Sequence, residues 1–170
     1  MASPTPAETG TASAGPDGKG AEAKGSGGSG RFDGIGLVAE PVFLMARAAS
    51  LGSADANRAL AGLGLKVRGY SALAVVCSGR KPTQRELSEF LVMLPSRVVA
   101  ILDELERRGL VQRTADPRDR RSNVIVPTEA GLELYARAKE AVDAATEESL
   151  GDLTPKERQE LARLLTKAAF

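Results

Sequence analysis

Arginine is the residue type best placed to do chemistry in this chain, and its side chains cluster near the centre. Between Arg107 and Arg121 there are six arginines and two aspartates. Residues 79–127 as a whole carry ten basic and seven acidic side chains, whereas residues 128–170 carry six and nine. A basic cluster of this kind favours a partner that carries phosphate groups. The chemistry that the sequence offers first is therefore phosphate binding.

Catalytic residues are scarce by comparison. The chain contains no histidine and a single cysteine, Cys77. Without histidine it lacks the commonest general base, the usual zinc ligand and the base of Ser–His and Cys–His pairs. The sequence after the first 34 residues also shows no paired carboxylates and no glycine-rich phosphate loop. We therefore expect no enzymatic activity, no metal and no cofactor.

The first residues differ in composition from the rest of the chain. Residues 1–34 hold nine of the 18 glycines and three of the nine prolines, and no apolar run that could offset the entropy of ordering a backbone. We expect neither a secretion signal nor a membrane span. The sequence thus predicts a disordered low-complexity tail over residues 1–34, one folded domain over residues 35–170, and a cytoplasmic location.

Two consecutive helices in the basic part of the chain are predicted from their capping residues. Thr83 can accept a hydrogen bond from the first turn of one helix, while Glu86 reaches back to the Thr83 amide. Pro95 is expected to start the next helix, and Gly109 supplies its left-handed end. The pattern predicts a short helix, a tight turn and a second helix. The first helix is expected to bury an apolar stripe of Leu87, Phe90 and Leu91.

A β-hairpin is predicted after this helix pair. Residues 110–114 and 123–127 are rich in β-branched side chains, and between them runs a polar stretch that contains three arginines. The sequence therefore predicts a mainly α fold with one small β-hairpin. Apolar periodicity and capping residues predict the remaining helices at residues 38–63, 66–77, 128–150 and from 154 onward.

The order of these elements is that of a winged helix-turn-helix, and its geometry suits DNA. The second helix of the pair is narrow enough to enter the major groove, about 12 Å wide, where its first-turn side chains meet base edges. Arginines on a thin hairpin, the wing, can follow the DNA backbone into the minor groove, where the potential is most negative. Double-stranded DNA is therefore the expected partner.

Five short stretches, taken in their order along the chain, are together specific. They are residues 58–65 (RALAGLGL), 83–87 (TQREL), 105–113 (LERRGLVQR), 119–121 (DRR) and 128–131 (TEAG). With these stretches the chain resembles the MarR family of bacterial regulators over about residues 36–170. The resemblance implies a winged helix-turn-helix with N- and C-terminal dimerisation helices, at about residues 36–63 and 128–170, and a DNA-binding lobe at about residues 65–127.

The resemblance also implies how such a protein works. It implies a homodimer that binds an inverted-repeat operator as a transcriptional regulator, most often a repressor released by a small-molecule effector, here of unknown identity. Ser96, Arg97 and Ala100 match the base-facing positions of the recognition helix, and Arg68 and Gln84 match positions near the DNA backbone.

The wing and the dimer interface receive roles from the same resemblance. Asp119 matches the aspartate that helps to order the wing through charge-assisted bonds, and Arg121 matches the arginine that reaches the minor groove. Arg118 and Arg120 occupy variable positions at the wing tip, where they are also expected to contact DNA. The apolar stripes of the first and last helices predict a homodimer interface that includes Phe43, Leu44, Leu161, Leu164 and Leu165.

Two features depart from the family pattern. Val92, Met93 and Leu94 stand where the family commonly has Gly and Asp before the recognition helix. That helix therefore loses its expected cap, and the turn is expected to repack around the three apolar side chains. The helix also lacks an Asn or Gln suited to adenine, which leaves Arg97 as the candidate for direct readout, with guanine as its partner.

Two other functions stay open at this point. A winged helix can serve as a protein-interaction module without specific DNA binding, although three arginines in the wing favour DNA. Cys77 could make the protein a thiol-based redox sensor, but its apolar neighbours favour plain packing.

Some candidate residues also have a purely structural explanation. The helix dipole alone explains Arg107 and Arg108 at the end of their helix, and Arg113 fits either a structural or a DNA-binding role. Candidates for lining an effector cavity are Tyr70, Phe43 and Met45, which core packing explains equally well.

Overall fold

The computed structural model describes residues 32, 34–117, 119 and 122–170. The chain divides into two units, Met1–Val38 and Ala39–Phe170. The helices and strands that are numbered below all belong to the second unit. A short 3-10 helix spans Gly36–Ala39 at the boundary.

Two helices connected by a tight turn open the second unit. Helix α1 runs over Pro41–Leu60 and is extended by a 3-10 turn over Ala61–Leu63, and helix α2 runs over Val67–Cys77. Gly64 makes the turn between them with φ +63°, a backbone conformation that only glycine adopts at no steric cost. Among the described residues no single helix is long and apolar enough to cross a membrane, and α1 with α2 passes that test only as a pair bent by 74°.

The predicted helix pair is confirmed as α3, Gln84–Phe90, and α4, Pro95–Arg107. The Thr83 hydroxyl accepts a hydrogen bond from the Glu86 amide at 3.2 Å, and the Thr83 amide donates to the Glu86 carboxylate at 2.7 Å. The predicted stripe is wrong at Phe90, whose side chain is 56% exposed. A helix of two turns buries only a narrow face, and in α3 the buried residues are Leu87 and Ser88.

The wing is the antiparallel pair of β1, Val111–Ala115, and β2, Asn123–Pro127. The chain before α3 also pairs with β2, because the Ile125 amide donates to the Pro82 carbonyl at 2.8 Å and Thr83 forms a bridge with Val124. This third short segment joins the helix pair to the wing. These contacts fix strand β2 relative to the start of α3.

Helix α5, Glu129–Ser149, and helix α6, Pro155–Ala169, complete the unit. The Thr128 hydroxyl caps α5 by accepting from the Gly131 amide at 3.1 Å, and Thr154 forms a complete capping box with Glu157. Gly131 lies so close to the wing that a Cβ atom there would be 2.0 Å from the Leu110 carbonyl oxygen. The predicted fold class, mainly helical with one β-hairpin, is confirmed.

One continuous core holds these elements together. Helix α1 packs along α5, and α2 contacts α1, α4, α5 and β2. In a single chain α6 contributes no buried residue. The buried core comprises Leu60, Leu65, Ala72, Leu73, Val76, Leu87, Val98, Leu102, Leu105, Leu110, Val111, Ile125 and Ala138.

Candidate nucleic-acid interface

Helix α4 has one face in the core and one face in solvent. Val98, Leu102 and Leu105 are buried and anchor it, as their spacing of one helical turn requires. On the other side Arg97 and Ala100 are exposed. Because α4 is amphipathic and fixed by its apolar side, its first turns present a stable set of side chains outward. Ser96, beside Arg97, is exposed in the same way.

The second half of the exposed face of α4 carries acidic residues that are already paired. Arg113 of β1 donates to the Asp103 carboxylate at 2.6 Å and forms an ion pair with Glu106. Burial lowers the pKa of Arg113, but the hydrogen bonds and charges of Asp103 and Glu106 outweigh it and hold the pKa above its ordinary value. Arg107 forms an ion pair with Glu104. The outward cationic surface of α4 is therefore concentrated at its N-terminal end.

Arg108 makes contacts within the chain as well. Its guanidinium donates to the Gly64 carbonyl at 2.7 Å and to the Leu63 carbonyl at 3.0 Å. These bonds tie the end of α4 to the turn between α1 and α2. They support a structural role for Arg108, in line with the interpretation that left Arg107 and Arg108 out of the binding surface.

A basic cleft of about 800 Å³ lies between the start of α2 and helix α4. Arg68 and Arg97, which are far apart in the sequence, both line it, together with Ala100. Lys66 and Arg108 add two further cations, and Glu104 is the one carboxylate among the lining residues. Three of the residues that the sequence assigned to DNA thus meet at one site. Lys66 was missed because only the turn at Gly64 brings it to α4.

Gln84 occupies a different position from this cleft. It is the first residue of α3 and is half-exposed. Tyr70, Phe43 and Met45, the candidates for an effector cavity, do not line the basic cleft. Tyr70 instead stacks with Tyr135 of α5, with ring centroids 6.0 Å apart, and burial raises its pKa. This contact favours the core-packing interpretation of Tyr70.

The turn between α3 and α4 differs from its prediction. The loss of a side-chain cap is confirmed, since Leu94 occupies the N-cap position without a side-chain hydrogen bond. The expected repacking around apolar side chains is wrong, because Val92 is 91% exposed and Leu94 is 71% exposed. Only Met93 packs against the core. The Ser88 hydroxyl, which donates to the Met93 carbonyl at 2.6 Å, closes the turn in place of apolar packing.

The loop of the wing is shaped by Asp116, Asp119 and Ser122. The Asp116 amide donates to the Ser122 carbonyl at 2.9 Å, and the Asp119 amide donates to the Asp116 carbonyl at 3.2 Å. The Asp119 carbonyl in turn accepts from the Ser122 amide at 3.0 Å. Asp116 is 4% exposed, and its burial was missed, although the Asp-Pro pair signals a turn. Arg118, Arg120 and Arg121 lie outside the described residues.

Cys77 lies at the end of α2 and is half-buried. Its sulfur is 4.0 Å from the Gly131 carbonyl oxygen, and it packs against the core. Burial raises the pKa of the Cys77 thiol to about 11. A redox-sensing cysteine needs an accessible thiolate. The position of Cys77 therefore supports packing and gives no support to a redox switch.

The residues assigned to the dimer interface lie on α1 and α6. Leu44, Leu164 and Leu165 are each almost half exposed, at 46%, 49% and 45%. Phe43 and Leu161 are half-buried. Together these side chains leave an apolar surface on the two helices that the sequence predicted to pair with a second copy.

Comparison with known proteins is consistent with this architecture. A sequence profile described as MarR family matches residues 63–122. The curated transcriptional regulator HosA of Escherichia coli O111:H- is 30% identical over 98 residues, which cover 58% of this chain and 73% of HosA. These matches are to transcriptional regulators and support the prediction that the chain is not an enzyme.

Two solved structures of the repressor CouR are also similar. CouR from Rhodococcus jostii RHA1 bound to p-coumaroyl-CoA is 36% identical, with a TM-score of 0.73 over 80% of this chain and 96% of CouR. CouR bound to a 23-mer DNA duplex is 31% identical, with a TM-score of 0.71 over 79% of this chain and 95% of CouR.

Proposed function

The chain belongs to the MarR family of transcriptional regulators, and from this premise we propose that it is a homodimeric repressor that binds an inverted-repeat operator and responds to a small-molecule effector. One observation carries the proposal: Arg68, Arg97 and Ala100 converge on one basic cleft beside the exposed first turns of α4. A relative of the same architecture, CouR, has been captured on a DNA duplex. The combination favours DNA over a protein partner.

In this proposal α4 is the recognition helix. Its N-terminal end carries an exposed arginine, Arg97, with the small residues Ser96 and Ala100 beside it. Small neighbours let the helix approach base edges closely, and a guanidinium can bind the O6 and N7 atoms of guanine in bidentate fashion. Arg68 and Gln84 are assigned to the DNA backbone on either side of this helix. The three wing-tip arginines, Arg118, Arg120 and Arg121, are assigned to the adjacent minor groove.

The homodimer follows from the apolar surfaces of α1 and α6. Leucines that are half exposed in one chain become buried when the two helices pair with those of a second copy. A two-fold axis between the copies would place two recognition helices about 34 Å apart, which matches successive major grooves on one side of B-DNA. An operator with inverted-repeat symmetry is the expected consequence.

The effector is proposed to be an anion that binds in the basic cleft. CouR binds p-coumaroyl-CoA, a ligand with several phosphate groups. In this chain the cleft of about 800 Å³ has four cationic residues against one carboxylate, a balance that attracts negative charge. Because Arg68 and Arg97 line that cleft, an anion bound there would compete with DNA for the same side chains. This competition would explain release of the repressor.

The experiment that tests DNA recognition is selection of bound sequences from a random duplex pool. The purified dimer, the Arg97→Ala variant and the Arg137→Ala variant are compared at low salt. Arg137 is an exposed arginine of α5, outside the proposed DNA surface, and serves as a matched control. We expect the wild type and Arg137→Ala to select one two-fold-symmetric site. Arg97→Ala is expected to bind that site with its preference at the guanine positions relaxed by about 1–3 kcal/mol, which corresponds to roughly 5- to 150-fold.

The DNA-binding proposal and the alternative of a protein-interaction module predict different salt dependences of DNA affinity. Contacts with phosphates release counterions, so the logarithm of the affinity should fall steeply and linearly with the logarithm of the salt concentration. If a correctly folded dimer selects no symmetric site at low salt, or if its DNA affinity barely changes with salt, the repressor proposal is refuted.

A further inference from the structure

The segment that leads into the recognition helix exposes two large apolar side chains, of which Leu94 adjoins the proposed DNA surface. Val92 is 91% exposed and Leu94 is 71% exposed. Leu94 directly precedes Pro95, where α4 begins, and Val92 lies two residues before Leu94. We propose that Leu94 is a second specificity-determining residue, which binds the C5-methyl group of a thymine in the major groove beside the base read by Arg97. This proposal rests on the proposed function and adds to it a part of the operator that arginine cannot read.

Leu94 lies where a side chain of a recognition helix reaches bases. It is the N-cap of α4, and its carbonyl accepts from the Arg97 amide at 2.9 Å and from the Val98 amide at 3.2 Å. Leu94 therefore directly precedes the first turn of α4, which carries Arg97. The N-terminal residues of a recognition helix contact base edges. Leu94 is therefore continuous with the surface assigned to DNA.

The turn holds this leucine in place. Ser88 and Met93 are joined by two hydrogen bonds, from the Ser88 hydroxyl to the Met93 carbonyl at 2.6 Å and from the Met93 amide to the Ser88 carbonyl at 3.0 Å. Val92 adopts φ +50°, a left-handed conformation that is unfavourable for a β-branched residue. Such strain persists only where surrounding contacts enforce it. The backbone that carries Leu94 is thus preset before DNA binds.

The chemistry of the exposed side chain points to a methyl group. Ser, Thr, Asp or Asn at the N-cap can accept a hydrogen bond from a first-turn amide, whereas Leu94 provides no side-chain cap and presents apolar surface to water. The major-groove edge of the bases carries one apolar group, the C5-methyl of thymine. Arg97, Ser96 and Leu94 together would read a guanine and an adjacent thymine.

The test replaces thymine by deoxyuridine, which removes only the C5-methyl group. Duplexes that contain the selected operator carry deoxyuridine at one thymine position at a time, in both half-sites, and dissociation constants are measured by fluorescence anisotropy. At one position near the guanine contact the wild type should lose about fourfold per half-site. That factor corresponds to about 0.8 kcal/mol per buried methyl group, and the two half-sites together should give roughly fifteenfold.

Two variants separate Leu94 from its surroundings. Leu94→Ala should bind the thymine and deoxyuridine duplexes with equal affinity, while Val92→Ala, the neighbouring exposed apolar residue, should keep the wild-type ratio. Unfolding temperatures of both variants, measured in parallel, identify a variant that has not folded. If Leu94→Ala has not folded, Leu94→Asn, whose side chain can cap α4, takes its place and should likewise bind both duplexes with equal affinity.

The outcomes distinguish this proposal from the proposed function. If a symmetric operator is selected but the wild type is indifferent to deoxyuridine at every position, the Leu94 proposal is overturned and the repressor proposal stands. The same holds if folded Leu94→Ala keeps the wild-type ratio. If no operator is selected at all, both proposals are overturned.

Discussion

Replacement of Gly131 by alanine should destabilise the protein, although alanine is the better helix former. Helix propensity alone predicts a gain of at most about 1 kcal/mol for Gly→Ala. At this position, however, the new Cβ would lie 2.0 Å from the Leu110 carbonyl oxygen. That oxygen cannot easily withdraw, because it accepts a hydrogen bond from the Thr128 amide at 3.1 Å. Overpacking against fixed backbone costs about 1–3 kcal/mol, so the clash should outweigh the propensity.

The matched control is the same substitution at Gly52, inside α1. A Cβ atom there meets nothing within 4 Å, so Gly52→Ala should raise the free energy of unfolding by about 0.5–1 kcal/mol. Urea unfolding followed by circular dichroism measures both variants at one fixed chain concentration, since the stability of the proposed dimer would depend on concentration. A Gly131→Ala variant as stable as the wild type would refute the argument that the wing and α5 meet through this glycine.

The Cys77 thiol gives two further predictions, and the arginines Arg68 and Arg113 give a third. Burial raises the pKa of Cys77 from 9.0 to about 11, so the thiolate fraction of Cys77 at neutral pH should be about a hundredfold lower than that of a free thiol. The rate at which iodoacetamide alkylates the folded protein measures this fraction. Alkylation as fast as that of a model thiol would contradict the packing interpretation. The raised pKa favours the neutral thiol in the folded state, so the stability that it contributes is complete below pH 9 and is lost as the pH rises from about 9 to 11. Over that pH range the wild type should therefore lose more stability than Cys77→Ala. Arg68→Ala should reduce the slope of log affinity against log salt concentration for DNA by about one per protein chain. Arg113→Ala should leave this slope unchanged, because Arg113 is paired with Asp103 and Glu106. Equal salt slopes for the two variants would contradict the assignment of Arg68 to phosphate.

Signals that act over a few residues allowed most of the secondary structure to be predicted. The capping box of Thr83 and Glu86 and the left-handed Gly109 each depend on contacts within one turn, so their spacing in the sequence is sufficient. The failure at Phe90 has a different origin. The spacing of Phe90 from Leu87 predicts that both lie on the apolar face of α3. Helix α3 is too short to bury a full apolar stripe, and the phenyl ring of Phe90 instead stacks on Phe170 with ring centroids 5.9 Å apart. Burial in a short helix is decided by tertiary neighbours.

The site was predictable only in part, for the same reason. The resemblance allowed Arg68 and Arg97 to be assigned to DNA one by one, but it did not show that they line the same cleft. That arrangement depends on the turn at Gly64 and on the hydrogen bonds from Arg108 that hold this turn. The buried Asp116 and the hydroxyl bridge of Ser88 likewise involve groups whose partners are set by the folded turn. Sequence spacing carries no signal for such contacts.

The arginine cluster that first pointed to phosphate turns out to contain two kinds of residue. Arg107 and Arg113 are engaged by carboxylates and Arg108 by two carbonyls, so half of the cluster serves the fold. A paired guanidinium releases few counterions when DNA arrives, because its charge is already compensated. Of the four cations that line the basic cleft, three lie outside the cluster, namely Lys66, Arg68 and Arg97. Local charge density favours a partner that carries phosphate groups, while the positions of the carboxylates decide which arginines stay available to it.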